Sequence, residues 1–523
     1  MSDDWSEGYV TEIDYTWGFH RELSPANLAW VAALRGASPP PLDGPFSYCE
    51  LGCGNALSLN VFAAAHPDAS FFGVDFNPNH VTNGQRMAEQ GGLTNVKLIE
   101  RSFADLLGDR DLDRPFDFIV LHGIWSWVND ENRQHITAFL RERLKPGGLV
   151  YVSYNALPGW SEMVAVRRLM LDVADRTQGG IEVKVKAAVA TLQKFWDTQN
   201  KDAVSRSFRN RIERILKSEV SYLAHEYFNK HWALFFFEDV AAALRDAKLS
   251  WLTTATLEQT EPSFYLSRQK LAVAREQTDP IDREQMRDFL SNASFRRDVF
   301  LKGNPPAELA REPHTSPALL AQIVGPRRSN HQFVAEVKVP AGTLRFPEEH
   351  ERALFEFFAD GPHTVGEALD HLWSFGRTPA LALTTLKQMV ACDLLRPWVR
   401  KPAATAPRHS AERRLRLATP FNQQLIADII GGRAKKQIVS LPNGGTAIGV
   451  SMREAYLLHS LDAVGPNAAV GHAIDALDKA GRRLIVDGRP LQNRREHEEE
   501  FGRELDRFQR YKLAHFTKLG VLA

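Results

Sequence analysis

The sequence predicts an α/β protein of several domains, on three observations. Strand-like and helix-like segments alternate between Phe46 and Asn155, a helix-rich stretch follows to about residue 245, and proline-rich breaks come later. Strands alternating with helices at this spacing mean βαβ units, hence a parallel sheet covered on both faces. At 523 residues the chain has room for about three domains. Its 44% hydrophobic and 24% charged residues suit a sizeable soluble core. Lys plus Arg equal Asp plus Glu at 64 each, which excludes a globally basic nucleic-acid binder.

The strands are short apolar runs bounded by Gly, Pro, Asp or Asn: Phe46–Leu51, Phe71–Asp75, Val96–Ile99, Phe116–Leu121 and Leu149–Tyr154. The clearest helix starts after Asp130, read as its N-cap, and places Ile136, Phe139, Leu140 and Leu144 on one face. Lys145-Pro146-Gly147-Gly148 ends it. Residues from about 160 to 245 read as mostly helical. Leu249–Leu257 and Phe295–Leu301 then look like strands again. They are either the last two strands of the same sheet, beyond a helical insertion, or a separate small domain.

Pro305, Pro306, Pro313, Pro317 and Pro326 mark residues 304–334 as a linker. Three short helices, Glu348–Phe358, Val365–Trp373 and Ala380–Cys392, give residues 335–401 a winged-helix-like spacing. With only scattered basic residues nearby, that unit reads as a protein-contact module, and nucleic acid is not an expected partner. A Pro- and Ala-rich stretch at 402–408 precedes a C-terminal α+β domain, residues 409–523. A Pro-Asn-Gly-Gly turn (Pro442–Gly445) falls within it, and Phe501, Leu505, Phe508 and Phe516 form the packing stripe of a final helix.

Cys49, Cys53 and Cys392 are too few for a disulfide scaffold or a four-cysteine zinc site. The acidic N-terminus lacks an apolar signal region, and no apolar run approaches the ~18 residues of a membrane helix. A cytoplasmic protein without a membrane span is the expectation. His225-Glu226 with His231 lacks the H-E-x-x-H spacing and reads as helix cap or core, so no metal is expected. The run Arg206, Arg209, Arg211, Arg214 and Lys217 reads as a solvated helix surface or a docking face for an acidic partner.

The informative motif is Glu50-Leu51-Gly52-Cys53-Gly54-Asn55 at the end of the first strand. Its glycines allow a sharp turn and close approach of backbone to ligand. Asp75 ends the second strand 21 residues after Gly54, where a carboxylate accepts hydrogen bonds from ribose hydroxyls. Both lie at the carboxyl ends of strands, where open α/β sheets bind ligands. Leu57 replaces the third glycine of a dinucleotide fingerprint, and Glu50 is a poor neighbour for pyrophosphate. S-adenosylmethionine, with adenine, ribose and a zwitterionic amino-acid end but no phosphate, suits the loop better.

Glu50–Asn55 (ELGCGN), Phe72–Asn77 (FGVDFN), Phe116–Val128 (FDFIVLHGIWSWV) and Leu144–Trp160 (LKPGGLVYVSYNALPGW) resemble class I S-adenosylmethionine-dependent methyltransferases. More narrowly, they resemble the bacterial group that carries a methyltransferase regulatory domain, which Tyr222–Trp232 and Phe289–Val299 also resemble. Outer-membrane-protein lysine methyltransferases within that group share the domain order and are similar at Tyr15–Pro25. The resemblance covers about residues 10–303. It implies a Rossmann-like methyltransferase domain at 1–303, with a helical insertion and regulatory segment at about 160–300.

The same resemblance implies roles for single residues. Glu50, Gly52, Cys53, Gly54 and Asn55 surround the methionine end of S-adenosyl-L-methionine, Cys53 as buried lining rather than nucleophile. Asp75 holds the ribose, Phe76 lies against the adenine, Ser102 and Phe103 edge it, and His122, Gly123 and Ile124 pass under the sulfonium. Acceptor-side candidates at strand ends or in an N-terminal lid are Tyr15, Trp17, Trp125, Trp127, Tyr154, Asn155 and Trp160. His122 or Tyr154 is the candidate to receive a hydrogen bond or proton, although no pattern marks a dedicated base. The expected activity is N-methylation of protein lysine; a small-molecule acceptor and a non-catalytic cofactor-binding protein are the alternatives. The long C-terminal additions point to a protein substrate, and homodimerisation also accounts for them.

Overall fold

The computed structural model describes residues 8–10, 12–13, 17–304, 307–327, 333–346, 348–359, 361–402, 415–434 and 436–523. Helix α1 (Pro25–Ala33) starts where Ser24 accepts the Asn27 N–H and Pro25 supplies a preset φ. There follow β1 (Ser47–Leu51), α2 (Leu57–Ala65), β2 (Ser70–Asp75), α3 (Pro78–Gln90), β3 (Val96–Glu100), β4 (Phe116–Leu121), α4 (Asp130–Arg143) and β5 (Leu144–Asn155). The cap of α4 is Asn129, one residue before the expected Asp130, because its side chain accepts the Asn132 N–H.

Five helices then leave and return to the sheet: α5 (Met163–Arg176), α6 (Ile181–Asp197), α7 (Arg206–Lys217), α8 (Val220–Tyr227) and α9 (Phe237–Arg245). After them come β6 (Leu249–Thr254), α10 (Arg268–Arg275), α11 (Pro280–Ser291) and β7 (Phe295–Lys302). The sheet order is β3-β2-β1-β4-β5-β7-β6, so the last two strands belong to the same sheet rather than to a separate domain. β1 to β5 are parallel, whereas β7 runs antiparallel to both β5 and β6.

Both faces of the sheet are dry, as a parallel sheet requires. Tyr48, Phe71, Phe118 and Tyr151 pack with Trp30 of α1 and Phe62 of α2. On the other face Cys49, Phe72 and Ile119 meet Ile136, Phe139 and Leu140 of α4. The insertion has its own core, in which Trp160 and Met170 meet Trp196, Ile212 and Leu223.

The expected linker at 304–334 is partly structured. Pro313 and Pro317 occupy first turns of short helices, where a missing N–H costs nothing, and Ile323–Pro326 is a strand. That strand pairs with His363–Thr364 on one side and Leu395–Trp398 on the other. Helices Glu348–Phe357, Val365–Trp373 and Pro379–Ala391 lie where expected. The third strand of this unit precedes its helices, and Leu395–Trp398 leads on to the next domain instead of into a hairpin wing. Most of the 402–408 stretch lies outside the described residues.

In the C-terminal domain the Pro442–Gly445 turn joins strands Ile438–Leu441 and Thr446–Gly449. Phe501, Phe508 and Phe516 are buried, but the final helix is interrupted by one π-helical turn at Phe508–Lys512. Among the described residues no helix is long and apolar enough to cross a membrane, and no group of three metal-ligating side chains occurs.

Candidate active site

The loop after β1 turns by alternating left-handed residues: Gly52 (φ +69°), Gly54 (φ +53°) and Ala56 (φ +54°). Its first two amides, Gly52 and Cys53, donate to the Val74 carbonyl at the end of β2. Gly54 N–H donates to Asp75 Oδ2 at 2.8 Å, while Asp75 Oδ1 accepts from Asn77 N–H at 2.9 Å and pairs with His80 Nδ1 at 3.1 Å. The carboxylate is thereby aimed and still has a free lone pair on Oδ2. A Cβ on Gly52 would stand 2.1 Å from Ile124 Cδ1, so only glycine lets the β4 loop cross under the β1 loop.

Above these strand ends lies a cleft of about 920 Å³. It brings together Gly52, Gly54, Asp75, Phe76, Ser102, Phe103, His122, Gly123 and Ile124, nine of the expected cofactor residues. Glu50, Cys53 and Asn55 line a smaller cavity beside it, which shares Gly52, Gly54 and His122 with the cleft. Glu50 is only 5% exposed, and its Oε2 has no hydrogen-bond partner among the described residues. Burial, then the charge of Asp75, pushes this carboxyl up to about 8. An orphaned buried carboxyl beside a glycine loop fits the ammonium of an amino-acid ligand. The Cys53 thiol is pushed well up by burial and by Asp75 and Glu50, so it stays protonated lining.

Sequence reasoning missed the roof. Tyr9, His80, Arg101, Val128, Asn132 and His231 also line the cleft, and His20 and Gly18 line the cavity at its end. Residues 8–10 are tied to the turn after α8: Lys230 N–H donates to the Gly8 carbonyl and Val10 N–H to Asn229 Oδ1. Tyr9 meets Phe76 edge-on at 5.8 Å. His20 N–H donates to Ser58 Oγ, and the His20 ring lies 3.8 Å from that of His122. Tyr9 and His231 are placed by long-range contacts that no local motif announces.

A second cleft of about 1050 Å³ shares His122, Gly123 and Trp127 with the first. Asn155 and Trp160, two of the acceptor-side candidates, line it together with Arg211, Arg214, Tyr222, Glu226, Phe295 and Arg297. Glu226 is therefore a cleft residue rather than cap or core, while His225 is buried and bonded to the Ile13 carbonyl. Arg211 and Arg214 likewise face a cleft, not only solvent. Burial pushes the Glu226 carboxyl up to about 7, although Arg211 and the neighbouring Asn155 pull the other way. Among the described residues Asn155 Nδ2 meets no other hydrogen-bond partner, and its approach to Glu226 falls outside regular hydrogen-bond geometry.

Of the acceptor-side candidates, Tyr154, Trp125 and Trp17 lie away from the second cleft. Tyr154 is 1% exposed and donates to Asp298 at 2.7 Å, on the side of β5 away from the clefts. Trp125 is 1% exposed and packs in the core below α4. Trp17 lines a separate groove with Leu57, Met87 and Leu425. Tyr15 lies outside the described residues. His122 sits at the junction of the clefts, but its Nδ1 is held by Tyr151 Oη at 2.9 Å. Burial, with His20 and Arg297 nearby, keeps its pKa well below the usual histidine range.

Residues 49–148 match a family described as "Methyltransferase domain", and residues 219–302 match "Predicted methyltransferase regulatory domain". Uncharacterized protein sll1526 of Synechocystis is 32% identical over 528 residues, covering 99% of each chain. Uncharacterized protein RP028 of Rickettsia prowazekii is 29% identical over 39% of this chain and 80% of its own. PKMT2 from Rickettsia typhi in complex with AdoHcy shares the fold with a TM-score of 0.72 at 20% identity, over 97% of this chain and 99% of that one. The donor class fits what the strand ends present: an aimed carboxylate for ribose, an orphaned one for an ammonium, and no cation in the glycine loop. The chain belongs to the class I S-adenosylmethionine-dependent methyltransferases that carry a methyltransferase regulatory domain.

Proposed function

We propose that the protein methylates the side-chain amine of lysine in protein substrates, and the observation that carries this reading is Glu226 on the wall of the second cleft. A lysine ammonium, with pKa near ~10.4, has no lone pair and must lose a proton before it attacks. S-adenosylmethionine supplies an electrophilic methyl group on a sulfonium. Asp75 and Glu50 would hold its ribose and ammonium, and Gly52, His122, Gly123 and Ile124 would bring it to the junction of the two clefts. Glu226, pushed up to about 7, exchanges a proton near neutrality and is placed to take one from an amine. Aromatic walls and the charges of Arg211, Arg214 and Arg297 favour the neutral amine by desolvation and repulsion. The rest is orientation and exclusion of water.

A protein acceptor is supported by the resemblance to outer-membrane-protein lysine methyltransferases. The fold shared with PKMT2, whose structure holds AdoHcy, supports the donor. The sign of the pH effect is fixed. Glu226 must be ionised to accept a proton, so activity rises with pH through about 7. Glu226→Gln should lower kcat by about 10²-fold, remove that acidic limb and leave S-adenosylhomocysteine affinity unchanged. A variant with the wild-type pH profile refutes the role. Radiolabelled methyl incubated with lysate of the source organism should enter protein and be recovered as methyl-lysine; label confined to small metabolites favours the small-molecule alternative.

A further inference from the structure

We propose that Arg211, Arg214 and Arg297 form an anion subsite in the second cleft, which takes the carboxylate of an acidic residue flanking the acceptor lysine. This rests on the lysine reading above and names the substrate class that the reading leaves open.

The three guanidinium groups come from two elements that are distant in sequence, α7 and β7, and line one cavity. Arg211 and Arg214 are three residues apart and share a helix face. Among the described residues none of the three meets a carboxylate at ion-pairing distance. The contrast with the adjacent residue is instructive. Arg296, on the opposite face of β7, is buried among Glu284, Asp288 and Asp298 and pairs with all three. The fold therefore supplies carboxylates to its structural arginine and none to the arginine that faces the cleft.

Two of the three are held rigid by ring faces. The Arg211 guanidinium lies 4.3 Å from the Trp160 ring centroid, and that of Arg297 lies 4.8 Å from Phe295. Among the described residues their buried Nη1 and Nε, respectively, have no hydrogen-bond partner. A guanidinium stacked on a ring keeps its in-plane N–H edge free, the edge that receives a carboxylate in a two-point bond. Among the described residues Glu226 is the one acid on this cleft's wall, so that wall remains cationic even with Glu226 ionised. A lysine beside Glu226 cannot itself satisfy three arginines, whereas a neighbouring Asp or Glu side chain can.

The test uses the full-length enzyme, labelled S-adenosylmethionine and short synthetic peptides with one lysine. The flanking residues are Glu, Gln or Arg in an otherwise neutral background, and free lysine serves as a small-molecule arm. Glu-flanked peptides should exceed Gln-flanked ones in kcat/KM by about tenfold or more, mostly through KM. Arg214→Gln should shrink that ratio and Arg214→Glu should shift preference toward Arg-flanked peptides, with S-adenosylhomocysteine affinity by calorimetry reporting that each variant is folded. Equal rates for Glu and Gln flanks overturn the anion subsite and leave the lysine reading intact. Label in free lysine but in no peptide, or in no lysine at all, overturns the lysine reading and the subsite together.

Discussion

Donor binding should release a proton from Glu50 at neutral pH. The carboxyl is buried, unpaired at Oε2 among the described residues and pushed up to about 8 by burial and by Asp75. At pH 7 it is therefore about nine-tenths protonated, and ionising it to meet the ammonium of the donor costs about 1.4 kcal/mol. Because the ionised fraction sets the competent population, affinity should rise by about fiftyfold between pH 6 and pH 8. It should level off above that as the ligand's own amine titrates. Calorimetry with S-adenosylhomocysteine in phosphate and in Tris reads the effect twice. The dissociation constant falls with pH, and the buffer dependence of the enthalpy at pH 7 corresponds to about 0.9 proton released. Glu50→Gln should bind about tenfold or more weakly at pH 8 and lose the pH dependence. A dissociation constant flat from pH 6 to 8, with no buffer dependence, would mean that the ammonium lies elsewhere.

Asp75→Ala removes the hydrogen bonds offered to ribose and frees the Gly54 and Asn77 amides; S-adenosylhomocysteine should bind weaker by roughly 1–3 kcal/mol, and unchanged calorimetry would move the ribose away from β2. Gly52→Ala combines a left-handed backbone, worth about 1–2 kcal/mol, with a 2.1 Å clash against Ile124; a lower melting temperature and at least about tenfold weaker donor binding are expected. Wild-type binding by that variant would show that the β1 and β4 loops separate freely. Tyr154→Phe takes one donor from Asp298, which is fully buried and also accepts from Trp251 at 3.0 Å and Arg296 at 2.6 and 2.8 Å. Denaturation should show about 1–3 kcal/mol lost, with kcat within about threefold of wild type. A large fall in kcat at unchanged stability would restore Tyr154 to the chemistry.

The cofactor side was legible because its chemistry sits at strand ends, where a short local pattern sets both the turn and the side chain that follows it. Glu50 through Asn55, Asp75, Ser102 and His122 each close or follow a strand, and sheet order alone brings them to one edge. The acceptor side was less legible because alternation along a strand gives two faces without saying which one is covered. Tyr154 and Asn155 are neighbours on β5, yet one points to Asp298 and the other into a cleft. Arg296 and Arg297 divide in the same way on β7. Their sorting depends on where the helical insertion returns, and that return is set by packing between α5–α8 and the N-terminal residues, contacts separated by some two hundred positions. Glu226 reads as cap or core for the same reason: in sequence it is one polar residue on a short helix, and only the return of the insertion turns it toward a cleft.

The division of labour within the chain follows from what the C-terminal domains touch. Ser440 donates to the Val61 carbonyl and Arg400 to that of Ala65, both on α2. Phe421 packs so closely on Gly91, after α3, that a Cβ there would stand 2.3 Å from its ring. Arg21 pairs with Asp393, and Lys387 with Glu261. These contacts brace the helices behind the glycine loop and the segment leading into α1, whereas the residues lining both clefts end at Arg297. On the function proposed above, selection of the acceptor inside the clefts would belong to the helical insertion and regulatory segment, through Arg211, Arg214, Glu226 and Arg297. On the same reading the C-terminal domains, through their contacts with α2, would hold that helix and its loop in register with Asp75, so substitutions at those contacts should appear first in donor affinity, read by calorimetry, and only afterwards in acceptor choice.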